Sequence, residues 1–167
     1  MSTGATSTTE SAARGGSRPG AGQERKRLRV RILTPEGAVF DDLAYMVIAP
    51  SVDGEVGILP RHTAFIAFLK MGETRVKLED DTEIVFATTE GYLSVEEDRV
   101  LLLVEQADRA DEIDTERAQA ALLAADEALA AAGDDDVARV AAEGARRRAE
   151  NRLNVAGAIR EGSAPRR

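Results

Sequence analysis

The chain has 167 residues and contains no cysteine, so it can form no disulfide, no thiolate nucleophile and no cysteine-based metal site. It also has a single histidine, His62, at the predicted entrance of a strand. No Gly-x-Ser-x-Gly or comparable motif supplies a nucleophile for it. We therefore predict that His62 hydrogen-bonds a turn or lies at a subunit contact, and that the chain is not an enzyme and has no catalytic residue.

Long hydrophobic runs and an excess of positive charge are also absent. No run of about 18 apolar residues occurs, so the sequence predicts no membrane-spanning helix, and any membrane association must come through a partner. The formal net charge is −8, which argues against general nucleic-acid binding because that requires a net basic face. Acidic clusters lie in predicted turns without calcium-loop spacing, so we predict no metal site.

The residues that are present divide the chain into two unlike modules. Val, Ile, Phe and Thr concentrate between residues 28 and 104, whereas Ala, Arg and Glu dominate from residue 115 onward. Residues 1–27 have hardly a large apolar side chain and are predicted to be disordered, as are residues 161–167. The first tail also fits an organellar transit peptide, but it lacks the amphipathic apolar face of one, so we favour a bacterial tail.

The first module alternates apolar and polar residues with the period of two that is typical of strands. Turn residues such as Pro35 and Gly37 interrupt this pattern repeatedly. We expect residues 63–70, an apolar run between two turns, to form a buried strand, and residues 43–49 to form a strand buried on each side. At least seven short strands at this spacing indicate a β-sandwich or flattened barrel over residues 28–108.

The second module has the period of a helix. Asp114 is placed to cap a first helix over residues 115–132, and the break at residues 133–135 separates it from a second helix that Asp136 caps. Such a short break implies an antiparallel hairpin, residues 109–160, held together mainly by small alanine side chains. The predicted fold class is therefore α+β, with an N-terminal β-sandwich followed by a C-terminal two-helix hairpin.

Three arginines should lie at one level of this hairpin. If the chain turns near residue 134, Arg148 and Arg152 of the second helix lie within about one turn of Arg117 on the first. Three guanidinium groups together require an anion. One candidate is an ordinary surface ion-pair network, worth about 0–1 kcal/mol per pair. The other is a nucleotide phosphate, which Arg can bind in a bidentate manner. The acids available for the first alternative are Glu116, Glu143 and Glu150.

Three motifs resemble the epsilon subunit of F-type ATP synthases, over about residues 28–159. One is a Gly-x-x-Gly-Ile-Leu-Pro-x-His element followed by Leu-Lys-x-Gly-x-x-Arg-Val. The second is Ile-Asp-x-x-Arg-Ala at residues 113–118, and the third is Arg-x-x-Asn-Arg-Leu at residues 148–153. The matching residues of the first motif are Gly54, Gly57, Ile58, Leu59, Pro60, His62, Leu69, Lys70, Gly72, Arg75 and Val76.

The resemblance implies a non-catalytic subunit of the central stalk in a bacterial ATP synthase. Its expected partners are the gamma subunit, the membrane c-ring and the alpha/beta catalytic head, and its expected location is peripheral, at the cytoplasmic face of the cell membrane. The hairpin would regulate ATP hydrolysis by moving between a docked and an extended state. No cofactor is required. In several family members the second and third motifs bind ATP, which implies a regulatory site formed here by Asp114, Arg117, Arg148 and Arg152.

The sequence departs from the usual family pattern at three places. Met71 stands where a proline is usual, residues 63–65 lack another proline, and residues 89–91 replace a Ser-Gly-Gly type of turn. The loss of two prolines should loosen those turns by up to about 1 kcal/mol each. The alternative function is a free-standing nucleotide-sensing or adaptor module. A small β-sandwich hydrolase is disfavoured, because the sequence offers no nucleophile and base.

Overall fold

The computed structural model describes Met1 and residues 26–78 and 82–162, with side chains as far as residue 157. The predicted disordered tails lie mostly outside this range, and so does the predicted turn at residues 79–81. The described part contains ten strands followed by two helices. The strands are β1 Leu28–Thr34, β2 Gly37–Ala44, β3 Met46–Ser51, β4 Gly54–Ile58, β5 Phe65–Leu69, β6 Gly72–Lys77, β7 Glu83–Thr88, β8 Gly91–Glu96, β9 Arg99–Val104 and β10 Ala107–Arg109.

One sheet runs in the order β10-β7-β6-β3-β5-β8-β9-β1-β2, and β4 pairs with β3. Its pairs are antiparallel except β1 with β9, which run parallel. The sheet folds over so that strands from its two ends meet across one core. Phe40 on β2 contacts Phe86 on β7, with ring centroids 5.9 Å apart. The predicted β-sandwich is confirmed.

Alternation along the strands builds this core. In β1 the side chains of Leu28, Val30 and Ile32 are fully buried, whereas Arg29 and Arg31 between them are exposed. The same period places buried residues from β3, β4, β7, β8 and β9 against them. The largest fully buried side chains besides Leu28 and Ile32 are Phe86, Ile58, Leu93 and Leu102.

Two expectations about strand burial are wrong. Residues 43–49 do not form one strand, because β2 ends at Ala44 and β3 begins at Met46. The chain there leaves its pairing with β1 and joins β4 and β6, which bends it at Tyr45 and leaves Leu43 exposed. Residues 63–70 contain β5, which is buried on one side only. Ile66 and Phe68 on its outer side are 72% and 58% exposed.

The helices are α1, Thr115–Ala131, and α2, Asp136–Gly162. Asp114 caps α1 as predicted, because its carboxylate accepts the backbone N–H of Arg117 at 3.0 Å. The second cap is Asp135, not Asp136. Asp135 accepts the N–H groups of residues 137 and 138, both at 3.0 Å, whereas Asp136 lies in the first turn and pairs with Arg139. Three consecutive aspartates made the capping residue ambiguous in the sequence.

The hairpin seam consists of alanines. Ala118 and Ala125 of α1 and Ala142, Ala149 and Ala156 of α2 are buried, and in each helix they recur every seven residues. This spacing keeps one side of each helix toward the other. The small side chains allow the two backbones to approach closely, so the seam gains dispersion contacts in place of large buried area.

Candidate functional site

The hairpin packs on the sandwich through one side of α2. Asn151 donates its side-chain N–H to the carbonyl oxygen of Thr88 at 3.1 Å. Val155 joins a small apolar cluster with Ala87 and Ala110 of the sandwich. Asn151 lies about 200° around the helix from Ala149, so α2 has α1 on one side and the sandwich on the other.

A cavity of about 720 Å³ lies at the base of the hairpin, where the outermost strands β2 and β10 approach the start of α1. One part of its wall is apolar and includes Ile113 and Ala121, while the other part carries charged groups of both signs. Sheet order explains the position, because β2 and β10 are the two ends of the sheet and α1 follows β10 directly. The lining residues are Val39, Ala107, Asp108, Arg109, Glu112, Ile113, Asp114, Arg117, Ala118, Ala121 and Arg152.

Three of the four predicted site residues line this cavity: Asp114, Arg117 and Arg152. The fourth, Arg148, lies in an adjoining cleft that shares Asp108 and Arg152 with the cavity. The guanidinium of Arg148 folds back along α2 toward Gly144. The hairpin geometry therefore brings the three arginines to one region of the molecule, although they do not all face one cavity.

The arginines differ in what they contact. Arg152 donates from Nε to the carboxylate of Asp108 at 2.7 Å and from Nη2 to the side-chain oxygen of Gln106 at 3.0 Å. Within the described part of the chain, Arg117 and the half-buried Arg148 have no hydrogen bond from their guanidinium groups and no ion pair. Two of the three predicted anion-binding groups are therefore free to bind a ligand.

The surface ion-pair alternative finds little support in the geometry. Among the described residues, none of Glu116, Glu143 and Glu150 pairs with Arg117, Arg148 or Arg152. Glu150 pairs instead with Arg146, at 2.9 Å.

Arg109 also lines the cavity, but its charge is already compensated. Its guanidinium donates to both carboxylate oxygens of Asp111, at 3.0 and 2.9 Å, and lies 3.4 Å from Glu112. The hydrogen bond to Asp111 raises the pKa of Arg109, and the same bond lowers the pKa of Asp111. We therefore do not count Arg109 among the groups available to a ligand.

His62 is placed as an ordinary structural residue. Its Nδ1 lies 2.8 Å from the carbonyl oxygen of Thr63, and its ring packs against Phe65 with centroids 5.0 Å apart. Across the residues that the structure describes, no group of three or more His, Asp or Glu side chains could hold a metal ion. No helix in the same residues is long and apolar enough to cross a membrane.

A second candidate surface is an apolar patch on the outside of the sandwich, which we call the outer patch. It consists of Ile66 and Phe68 on β5, Tyr92 on β8 and Leu103 on β9. Phe68 pairs with Tyr92 in the strand register, and Tyr92 pairs with Leu103, so these three form a row across neighbouring strands. The rings of Phe68 and Tyr92 lie 5.1 Å apart. A contiguous exposed apolar patch of this kind is typical of a protein interface.

Several residues at these sites lie outside the predictions made from the sequence. Asp108 and Gln106, which hold Arg152, and Val39 in the cavity wall come from parts of the chain far from the arginine motifs. No local signal identifies them, because their proximity to α2 depends on the order of strands in the sheet. Of the outer patch, Ile66 and Phe68 lie in the apolar run at residues 63–70, which the sequence predicts to be a buried strand.

Comparison with known proteins covers both modules. Residues 27–110 match the family model for the ATP synthase delta/epsilon chain, beta-sandwich domain, and residues 111–157 match the model for the long alpha-helix domain of the same chain. An ATP synthase epsilon chain of Bacillus velezensis is 43% identical over 133 residues, which is 79% of this chain and 98% of that protein. An ATP synthase epsilon chain of Trichlorobacter lovleyi is 39% identical over 132 residues, which is 79% of this chain and 95% of that protein.

A solved structure shares the fold. A chain of the Euglena gracilis mitochondrial ATP synthase, from an assembly of OSCP, F1 and c-ring, superposes with a TM-score of 0.64 at 20% identity. The match covers 79% of this chain and 82% of that one.

Proposed function

The chain belongs to the delta/epsilon chain family of ATP synthase, a subunit of the complex that is not itself catalytic, and from this premise we propose that it works in the central stalk. There the sandwich contacts the gamma subunit and the membrane c-ring, and the hairpin reaches the alpha/beta catalytic head. The protein is then peripheral, at the cytoplasmic face of a bacterial membrane.

The observation that supports the stalk contact is the outer patch. Its four large apolar side chains lie on a sheet face that the hairpin leaves uncovered, since α2 packs near β6 and β7 instead. Burial of such side chains is worth about 1.5–3 kcal/mol each, so a patch of this size can anchor a subunit. We assign the patch to the gamma subunit.

Replacement of Phe68 by Glu tests this contact, because it places a charge at the centre of the patch without changing the core. We expect the variant to fold with a normal melting temperature but to be lost when the complex is purified through its alpha, beta or gamma subunit. The matched control is Val137→Glu, at a more exposed apolar residue near the hairpin turn. Normal co-purification of the Phe68 variant would exclude the patch as the anchor.

The hairpin is proposed to regulate ATP hydrolysis. The main core consists of sandwich residues alone, and the hairpin is attached through a small apolar cluster and a few polar contacts. Such an attachment can open without unfolding the sandwich. A complex containing a chain truncated before Thr115 should assemble and hydrolyse ATP faster than the intact complex. Unchanged hydrolysis by a fully assembled truncated complex would refute the regulatory role.

We further propose that the cavity at the hairpin base binds ATP as a regulatory ligand. Arg117 and Arg152 would hold the phosphates in the cavity, and Arg148 would reach them from the adjoining cleft. The start of α1 lies nearby, where exposed N–H groups also favour anions. Asp114 would position Arg117 or accept a ligand hydroxyl. The supporting observation is that Arg117 and Arg148 have no acidic partner in the described residues.

Thermal denaturation of the isolated protein tests the site. ATP should raise the melting temperature progressively once its concentration exceeds the dissociation constant. Arg117→Ala should abolish the shift, and among the described residues this variant removes no side-chain hydrogen bond or ion pair. Arg139→Ala is the control, because Arg139 pairs with Asp136 at the opposite end of the hairpin. No shift and no heat of binding at millimolar ATP would eliminate the nucleotide site.

A further inference from the structure

Among the described residues, Arg152 is the one arginine of the proposed nucleotide site that already has an anionic partner. Its Nε donates to Asp108 Oδ2 at 2.7 Å, and both side chains are partly buried. Asp108 belongs to β10, at the end of the sheet, while Arg152 belongs to α2. This ion pair therefore links the sandwich to the hairpin, and it does so at the wall of the cavity.

Asp108 occupies a position between the two spaces that hold the arginines. It lines the cavity that contains Arg117, and it also lines the cleft that contains Arg148. The other acids in the cavity wall contact other groups, since Glu112 lies beside Arg109 and Asp114 caps α1. Asp108 is thus the carboxylate that a phosphate group held by Arg152 would meet.

We propose that Asp108 is a built-in competitor of the nucleotide: its carboxylate occupies Arg152 in the empty site and must give it up when phosphate binds. This inference rests on the proposed nucleotide site. A carboxylate and a phosphate both accept charge-assisted hydrogen bonds from guanidinium, so each can satisfy Arg152. Both are negative, so their presence side by side is unfavourable. Asp108 therefore sets the affinity and couples nucleotide binding to the contact between sandwich and α2.

The alternative role for Asp108 is purely structural, and it predicts the opposite effect. If Asp108 only holds α2 in place, its neutralisation loosens the hairpin and weakens nucleotide binding. If it competes, the same change tightens binding, because Arg152 is released and the repulsion disappears. Asparagine is the suitable replacement, since its side-chain oxygen can still accept a hydrogen bond from Arg152.

Isothermal titration calorimetry of the full chain with ATP distinguishes the two roles. Asp108→Asn should lower the Kd for ATP at least fivefold. Asp126→Asn is the matched control and should leave it within twofold, because Asp126 also pairs with an α2 arginine, Arg146 at 2.8 Å, but lies outside the cavity. The improvement should be smaller for ADP than for ATP, because repulsion by Asp108 grows with phosphate charge.

The outcomes separate this inference from the nucleotide site itself. If the natural chain binds ATP and Arg117→Ala abolishes binding, but Asp108→Asn binds ATP equally or more weakly, the competitor role is wrong while the site remains. An equal improvement for ATP and ADP would also overturn it. If neither the natural chain nor Asp108→Asn gives heat with millimolar ATP, the nucleotide site fails and the competitor role with it.

Discussion

Two hydroxyl groups connect strands β6 and β7 inside the sandwich. Thr74 and Thr88 are fully buried, and their hydroxyl oxygens lie 2.9 Å apart. Thr88 also donates to the carbonyl oxygen of Gly72 at 3.3 Å. A hydroxyl has one proton, so Thr74 must be the donor in the bond between the two threonines. Thr88 therefore occupies the middle of a short chain of hydrogen bonds.

This direction predicts unequal effects of the same substitution. Thr88→Val removes the acceptor of a buried hydroxyl and should lower the free energy of unfolding by about 2 kcal/mol. Thr74→Val removes only a donor whose partner keeps its bond to Gly72, so its cost should stay below about 1 kcal/mol. Urea denaturation of both variants measures the difference. Equal losses would show that the donor assignment is wrong.

Glycine positions give a second contrast at single residues. A Cβ added to Gly91 would lie 2.0 Å from the carbonyl oxygen of Leu103, so Gly91→Ala must push β8 away from β9. We expect it to cost about 3 kcal/mol or more in stability. Gly157 in α2 has nothing within 4 Å of its added Cβ, so Gly157→Ala should stabilise the helix by about 0.8–1 kcal/mol. Thermal denaturation measures the stability of both variants. A Gly91→Ala variant as stable as the natural chain would contradict the close contact between the strands.

At the level of strands and helices, periodicity predicted which residues share one face better than it predicted what that face contacts. The alternation in β1 identified Leu28, Val30 and Ile32 as one face, and that face is the core. In β5 both faces are apolar, and nothing local shows that Phe68 is exposed and does not lie in the core. The bend at Tyr45 was also hidden, because it reflects a change of pairing partners distant in sequence.

The alanine seam makes a prediction for the hairpin as a unit. Ala149 is 1% exposed, so Ala149→Leu inserts three heavy atoms between closely approaching helices. We expect a loss of about 1–3 kcal/mol in hairpin stability, seen as faster amide hydrogen exchange in α1 and α2. Ala141→Leu, at an exposed position of the same helix, should have little effect. Equal protection in the two variants would mean that the seam is loose.

At the scale of the whole molecule, the main core and the hairpin are built from different residues. Among the described residues, the main core consists of sandwich residues from Leu28 to Ala107, and the hairpin adds only Val155 and Ile113 to a second, small cluster. A chain truncated after residue 111 keeps the backbone hydrogen bond from Ala110 to Val85 at 2.9 Å. It should unfold in a single cooperative transition in urea. A fragment that binds hydrophobic dyes and melts without a transition would contradict this boundary.

The site shows the same division between what local sequence predicts and what it leaves open. A short link between the two helices predicts that Arg117, Arg148 and Arg152 lie at similar heights along the hairpin. The structure brings them together at the hairpin base. Asp108 could not be anticipated, because its place beside Arg152 depends on β10 being the last strand of the sheet. Local periodicity carries no information about strand order.

The seven-residue spacing of the seam alanines has a mechanical consequence. A seam that repeats the same small residue every seven positions fits nearly as well after α2 slides by one repeat, about 10 Å, along α1. The seam therefore does not select the register. The register is fixed by the short link at residues 132–135 and by the contacts of α2 with the sandwich, such as that of Asn151 with Thr88. In a hairpin that has left the sandwich, cleavage of that link would therefore leave two helices that can slide past one another.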